Sequence, residues 1–424
     1  MRTAILLSGR GGTRIRSKLQ GLVRTARAHP VMSPRLLLEV WRERKGFPVE
    51  EAHDVHLSAA VAWLARAQDA TVDDGFARGY SLNWNPYFSL QGWQPSYPET
   101  TGYIIPTFFM LNHHHRLLAL DRRAERAARW ELEIQLSDGA VQGGVIGQPV
   151  SPSVFNTGQV ILGWLVTLEN TGDESFAKAV RRAGNFLVDV LEVDGQWRTG
   201  NSKFARADST LYNARTAWAL AEAGVRLQEP SFIAAATRNL LLVSKWQKAN
   251  GWLPHCCLSD PQRPLLHTLA YAIRGLLEGG RILEEEDFIR SGALAAERLA
   301  EEVRDNGWMS GRYDSAWSPV SQWSCLTGNA QMVNIWLRLF SITGKKKWLE
   351  PVGPVVRFLK ATQNRGSMDP GVRGGIRGSF PISGDYGRYQ VLNWATKFFV
   401  DALFRHRLAL AGVAALRTND QPLA

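Results

Sequence analysis

From about residue 53 to residue 404 the chain alternates two kinds of apolar stretch. One kind is amphipathic, with a charged face at helical spacing, as in residues 177–191 and 293–304. The other is apolar almost all round, as in residues 160–165, 217–220 and 335–340. A helix with one polar face lies at a surface, whereas a helix that is apolar on every side must be enclosed. The alternation therefore predicts pairs of helices, the first outer and the second inner.

The pairs recur. The second helices open at Thr101-Gly102, Thr157-Gly158, Tyr212-Asn213, His267-Thr268, Thr327-Gly328 and Leu392-Asn393, at intervals of 56, 55, 54, 61 and 65 residues. A period of this size matches a two-helix hairpin with a substantial loop. Several second helices stop at glycine, at Gly172, Gly224, Gly279 and Gly344, where a left-handed residue ends the helix. Each first helix is followed by a turn: Asp74-Gly75, Asp138-Gly139, Asp194-Gly195, Asn250-Gly251, Asn306-Gly307 or Arg365-Gly366. Asp-Gly and Asn-Gly form turns because both residues tolerate positive φ. The turns read as scaffold, not as chemistry. Six hairpins with a polar outside and an apolar inside predict an all-α fold, an (α/α)6 toroid over residues 53–424, preceded by a basic N-terminal arm over residues 1–52.

Charge separates the arm from the body. The net charge is +11. Residues 1–52 hold eleven Lys/Arg and four Glu, which is +7, leaving +4 for the rest. Ile15, Leu19, Leu22 and Val23 share a helical face, with Arg14, Arg16, Lys18, Arg24 and Arg27 around them. That pattern suits an anionic membrane surface, contacted through residues 13–28, or an acidic partner. A solvated tail is the plainer reading. The glycine-rich residues 4–14 resemble a sugar-nucleotide phosphate loop, but no α/β domain follows, so the match is set aside. No apolar run reaches the length of a membrane span. The cysteines Cys256, Cys257 and Cys325 suggest no disulfide framework, which fits a cytoplasmic protein, peripheral to the inner membrane if the arm binds there.

The helix–(Asp/Asn)-Gly–Trp–helix unit resembles the α/α toroids, which include squalene/hopene cyclases, protein prenyltransferase β chains and polysaccharide-processing enzymes. Residues 97–103 (YPETTGY), 378–382 (GSFPI) and 393–399 (NWATKFF) are similar to proteins of bacterial surface-polysaccharide gene clusters. The resemblance spans roughly residues 50–405 and speaks to fold far more than to chemistry. It implies a saccharide substrate, an oligo- or polysaccharide that is free or lipid-linked, and no nucleic-acid partner.

In a hairpin toroid every first-to-second helix loop emerges at one mouth. The longest loops, residues 69–101 and 364–392, belong to the first and last hairpins, which ring closure makes neighbours. Loop one supplies Arg78, Trp93, Tyr97 and Glu99. Loop six supplies Arg377, Asp385, Tyr386, Arg388 and Tyr389. Loop five adds Tyr313, Asp314 and Trp323. Aromatic faces beside carboxylates and arginines suit sugar rings.

Glycoside hydrolysis needs two carboxyl groups across the bond. Glu99 is the expected acid, with Asp314 or Asp385 as partner and Tyr386 alongside. Arg78, Trp93, Tyr97, Tyr313, Trp323, Arg377, Arg388 and Tyr389 are expected to bind substrate. Helix capping is the bland alternative for Glu99. A uronate lyase or C5-epimerase would instead use a Tyr or His base with a group that neutralises the carboxylate, and His255 and His267 supply that type. A non-catalytic glycan-binding protein needs the aromatics alone. A terpenoid cyclase or prenyltransferase is the weakest reading, because the acid and zinc motifs of those enzymes are not reproduced. No cofactor or metal is expected, and the cluster His113-His114-His115 reads as a helix end.

Overall fold

The computed structural model describes residues 29–112 and 119–412. The basic amphipathic stretch at 13–28 and the cluster at 113–115 lie outside the described residues.

Thirteen α-helices are described. A preliminary helix, α1 (Pro34–Lys45), precedes six hairpins. Their outer members are α2 (His53–Asp69), α4 (Leu120–Glu133), α6 (Glu174–Asp189), α8 (Pro230–Trp246), α10 (Glu286–Glu301) and α12 (Val352–Ala361). The inner members are α3 (Pro98–Asn112), α5 (Val154–Thr171), α7 (Ala214–Leu227), α9 (Leu266–Ile282), α11 (Leu326–Thr343) and α13 (Asn393–Leu410). Each inner helix touches the next, and α13 returns to α3, so the inner ring closes. The fold is an α/α toroid.

Two repeated devices explain why the hairpins stack. The first is the turn after each outer helix. Asp138, Asp194, Asn250 and Asn306 each accept a hydrogen bond from the backbone N–H two residues on. The glycine between adopts positive φ, as at Gly139 (+89°) and Gly307 (+81°). At Gly307 a Cβ would meet the Pro354 carbonyl oxygen at 2.0 Å, so the turn is pressed against the next outer helix.

The second device is close approach within the inner ring. Added Cβ atoms would collide with the neighbouring inner helix at Gly102 (Gln159 and Val160), Gly158 (Thr216), Gly275 (Ala214 and Arg215) and Gly328 (Leu266 and His267). At Gly275 the intruding atom would lie 2.3 Å from the Ala214 carbonyl carbon and oxygen. Both neighbours are backbone and cannot rotate away. Gly275→Ala should therefore destabilise the fold by about 3 kcal/mol, at the upper end of ordinary overpacking. Chemical denaturation checks this, and a midpoint within error of wild type would remove the idea that α7 and α9 are fixed by backbone contact.

The loops at the mouth hold short strands that a purely helical reading does not include. β1 (Gly79–Asn85) of loop one pairs on one side with β2 (Leu90–Trp93) of the same loop and on the other with β7 (Gln390–Leu392) of loop six, in the order β2-β1-β7. The register sets Gly79, Tyr80 and Ser81 opposite Leu392, Val391 and Gln390. The first and sixth hairpins are thus joined by hydrogen bonds across the seam. β3 (Val141–Gln142) pairs with β4 (Pro152–Ser153) within loop two, and β5 (Ser324–Cys325) pairs with β6 (Ser379–Phe380) between loops five and six.

α1 packs on this seam. Leu36 is buried, and the Ser33 hydroxyl donates to the Leu82 carbonyl at 2.8 Å. Glu39 and Glu43 receive the buried Arg377 at 3.0 and 3.4 Å. Glu43 also accepts from the Ile382 N–H at 3.0 Å.

Candidate active site

A cavity of about 430 Å³ opens at the loop mouth, over the starts of the inner helices. Arg78, Tyr97, Glu99, Phe155, Asn156, Tyr212, His267, Tyr271, Tyr386, Gln390 and Trp394 line its polar and aromatic floor and walls. Tyr87, Phe88, Gln148, Lys203 and Phe204 stand toward the rim, where Tyr87 and Phe204 are exposed with ring centroids 6.2 Å apart.

Glu99 lies in the first turn of α3, after Pro98. Its carboxylate does not fold back onto the helix end. One oxygen accepts from the Tyr97 hydroxyl, and the other accepts from the Tyr103 hydroxyl at 3.1 Å. The Tyr103 and Tyr271 oxygens are 2.7 Å apart. A phenol has one proton to give, so Tyr271 can donate to Tyr103 while Tyr103 donates to Glu99. Burial pushes the Glu99 carboxyl above the ordinary carboxylate range, against the opposing pull of the two phenols, Arg78 and Arg215. A carboxyl out of water favours its neutral form. Among the described residues Glu99 is the sole carboxyl in the cavity lining.

Arg78 is fixed at one nitrogen. Its Nη1 donates to Gln94 Oε1 at 2.8 Å and Gln390 Oε1 at 3.0 Å. Its guanidinium lies 4.8 Å from the Trp394 ring and 5.2 Å from the Phe88 ring. Two amides and two aromatic faces hold the group, and no carboxylate among the described residues is ion-paired with it.

His267 begins α9. Its Nδ1 is 2.8 Å from Gln331 Oε1, and its ring lies between Tyr271 and Tyr386, at 4.4 and 5.1 Å. Burial pushes its pKa down to about 3, so the ring is neutral. With Nδ1–H donating to the glutamine carbonyl, Nε2 is the basic nitrogen. The Tyr386 hydroxyl accepts from Trp394 Nε1 at 2.7 Å, and its backbone is clasped by Ser379.

Of the residues expected from sequence, Arg78, Tyr97, Glu99 and Tyr386 meet in one cavity. His267, named for the epimerase alternative, lines it as well, and the others do not. Asp314 caps its own turn, accepting from the N–H groups of Ala316 and Ser318 at 2.9 and 3.0 Å. Asp385 and Arg388 are exposed and face each other at 3.5 Å. Tyr313 is buried, and its hydroxyl accepts from the Ser310 N–H at 3.0 Å. Trp323 packs on Gly311 and Gly384. Trp93 packs between Trp63 and Tyr80, both at 5.2 Å. Tyr389 takes a left-handed φ of +61° and serves the ladder through its backbone. Arg377 is consumed by Glu39 and Glu43, because a buried guanidinium needs carboxylates of its own. His255 is partly exposed beside Trp246 and Asp208, outside the cavity.

The residues missed were mostly at the starts of inner helices: Phe155, Asn156, Tyr212, Tyr271 and Trp394. A signal was present. Glu99, Phe155 and Gln390 each stand three residues before an anchor of the repeat, Gly102, Gly158 and Asn393 respectively.

No protein-family model matches the chain, and no curated protein matches it in sequence. Solved structures do match in shape. An unsaturated glucuronyl hydrolase specific for heparin superposes with a TM-score of 0.65 at 15% identity, covering 86% of this chain and 99% of that one. The unsaturated glucuronyl hydrolase of Bacillus sp. GL1 gives 0.64 at 15% identity, covering 86% and 98%. The cellobiose 2-epimerase of Bacillus thermoamylovorans B4167 gives 0.63 at 10% identity, covering 84% and 98%. The chain has their α/α toroid fold. At such identities the likeness concerns architecture; chemistry must be argued from the cavity.

Proposed function

We propose that this chain is a carbohydrate-active enzyme, a hydrolase in which Glu99 supplies a proton and Arg78 holds an acidic group of the sugar. The observation that carries the reading is the presence together, in an aromatic cavity, of one carboxyl raised above its ordinary range by burial and an arginine that is ion-paired with no carboxylate among the described residues. Ordinary glycoside hydrolysis asks for a second carboxyl, and Asp314 and Asp385 stand elsewhere. A substrate that needs one proton and one water matches this cavity better. An unsaturated uronide, the class carried in the names of two of the structures above, is such a substrate. Glu99 would protonate the double bond, the resulting oxocarbenium ion would take water, the proton released by that water would return to the carboxylate, and the hemiketal so formed would open, breaking the glycosidic bond and releasing the neighbouring sugar as an alcohol.

Epimerisation is the second reading, and His267 favours it. Inversion next to a carbonyl requires a base to take a proton and an acid to return one, and His267 and Glu99 supply those residue types in one cavity. Similarity of residues 97–103 and 393–399 to proteins of surface-polysaccharide clusters supports a substrate from that metabolism, free or lipid-linked, which in turn supports a cytoplasmic site of action. A cavity floored by Arg78, Glu99, Asn156 and Gln390 suits hydrocarbon poorly, so terpenoid chemistry gains nothing from it.

The test is incubation with saturated and unsaturated acidic oligosaccharides in D2O. Loss of the conjugated double bond's ultraviolet absorbance marks hydration and cleavage. Deuterium uptake with no change in chain length marks epimerisation. Retained binding with neither signal would leave a glycan-binding protein and end the enzymatic reading. Arg78→Gln should raise KM for the acidic substrate by about 10–100-fold, the worth of a charge-assisted hydrogen bond, with far less effect on a neutral analogue. Equal losses on both substrates would remove Arg78 from anion recognition.

A further inference from the structure

α1 has two apolar faces, and the toroid uses only one. Leu36, Glu39, Val40 and Glu43 turn inward to the seam. Leu37, Leu38 and Trp41 fall on the opposite side at helical spacing, 46%, 45% and 52% exposed. Val31 and Met32, just before the helix, are 64% and 65% exposed. No other short stretch of the described chain gathers so many exposed large apolar side chains. Such gathering marks a binding surface.

Its surroundings are basic. Arg44 and Lys45 close the helix, and the Lys45 ammonium lies 3.9 Å from the Trp41 ring. In the sequence, residues 1–28 precede this helix. They carry Arg2, Arg10, Arg14, Arg16, Lys18, Arg24 and Arg27 and no acidic residue. Among the described residues no helix is long and apolar enough to cross a membrane.

We propose that the outer face of α1 docks on an anionic lipid bilayer. Leu37, Leu38 and Trp41 enter the headgroup boundary, and Arg44 and Lys45 beside them meet the lipid charge. An apolar strip flanked by lysine and arginine, with a tryptophan among them, is the composition of an interfacial helix. Basic residues close to such a surface are each attracted to it. Neither a second copy nor an apolar protein partner accounts for the concentration of positive charge. The helix is fastened to loop six through Arg377 and Ile382. Docking would therefore hold the cavity-bearing seam at the membrane surface, a location independent of which reaction the cavity performs.

The full chain should co-sediment with vesicles of phosphatidylcholine and phosphatidylglycerol, and not with phosphatidylcholine alone, and salt should weaken the binding. Leu37→Ser/Leu38→Ser/Trp41→Ser should weaken it by about tenfold or more without lowering the melting temperature. Arg44→Glu/Lys45→Glu, which leaves the apolar strip intact, should weaken it too. Three results would overturn the proposal: no sedimentation with anionic vesicles; equal binding by the triple variant, which would assign the contact to residues 1–28 alone; or wild-type self-association that the triple variant abolishes, which would make a second copy the occupant.

Discussion

Glu99→Gln is expected to lower kcat by about 10³-fold, within the range that a positioned proton donor contributes, while the protein stays folded. The amide has the same shape and its one carbonyl oxygen still accepts from one of the two phenols, Tyr97 or Tyr103, but it has no acidic proton to deliver. Wild-type activity should fall as pH rises through a value above the ordinary carboxylate range, because burial holds Glu99 protonated there. The same shift has a stability consequence of definite sign. A carboxyl whose folded pKa is raised contributes fully below its unfolded pKa, near 4.5, and that contribution is lost as pH rises through the folded value. The glutamine variant has nothing to ionise, so at neutral pH it should be as stable as wild type or more so. Measuring kcat and melting temperature across pH on both proteins checks the two effects together. A variant with near-normal kcat would remove Glu99 from proton transfer. A variant that is inactive and also unfolded at neutral pH would show that the carboxylate is structural.

The architecture was legible in the sequence because the devices that build it are local and repeated. An Asx turn needs only Asp or Asn two residues before the N–H it binds, and Asn250 and Asn306 make that bond with Trp252 and Trp308 as their neighbours. The second-helix glycines marked the period for a tertiary reason that sequence alone did not reveal. Gly102, Gly158 and Gly328 are where one inner helix lies on the backbone of the next. The adjacency of loops one and six followed from ring closure, and the Tyr80↔Val391 pairing is its outcome.

The site was only half legible, because loop length says where a cavity opens and not which side chains face it. In a paired strand neighbouring residues face opposite ways. Gln390 therefore reaches the cavity while Val391, next to it, is buried. Arg377 could not be told from a ligand-binding arginine without knowing that α1 brings Glu39 and Glu43 to it from more than 300 residues away. Phe155, Tyr212 and Tyr271 are apolar or aromatic residues in or next to the apolar inner helices, where nothing in residue type marks them off from core, and their rings do pack together, Phe155 lying 5.4 Å from Tyr212 and 4.7 Å from Tyr271. Of the three, Phe155 shares with Glu99 and Gln390 the position three residues before its repeat anchor.

Glu278→Ala should destabilise the protein by about 3–5 kcal/mol, the cost of stranding buried charge. Glu278 is completely buried on α9. One oxygen receives Arg338 Nε at 2.7 Å and Arg274 Nη2 at 2.6 Å, and the other receives Arg338 Nη2 at 2.9 Å and Arg281 Nε at 3.1 Å. Arg274 and Arg338 are themselves buried. Removing the carboxylate leaves two guanidinium groups facing each other with no water to screen them. The arginines hold the Glu278 carboxyl far below the ordinary range, more than offsetting the desolvation that opposes them. A depressed carboxyl contributes stability that is complete above its unfolded pKa, near 4.5, and is lost only as pH falls through the folded value. This part of the core should therefore survive mild acid in the wild type. Denaturant titration at neutral and mildly acidic pH should show the deficit at both. Glu278→Ala/Arg338→Met removes one of the stranded charges and fills part of its volume, so it should recover part of the loss. If the double variant is no more stable than the single one, the deficit comes from the cavity left by the side chain, and buried charge is not its cause.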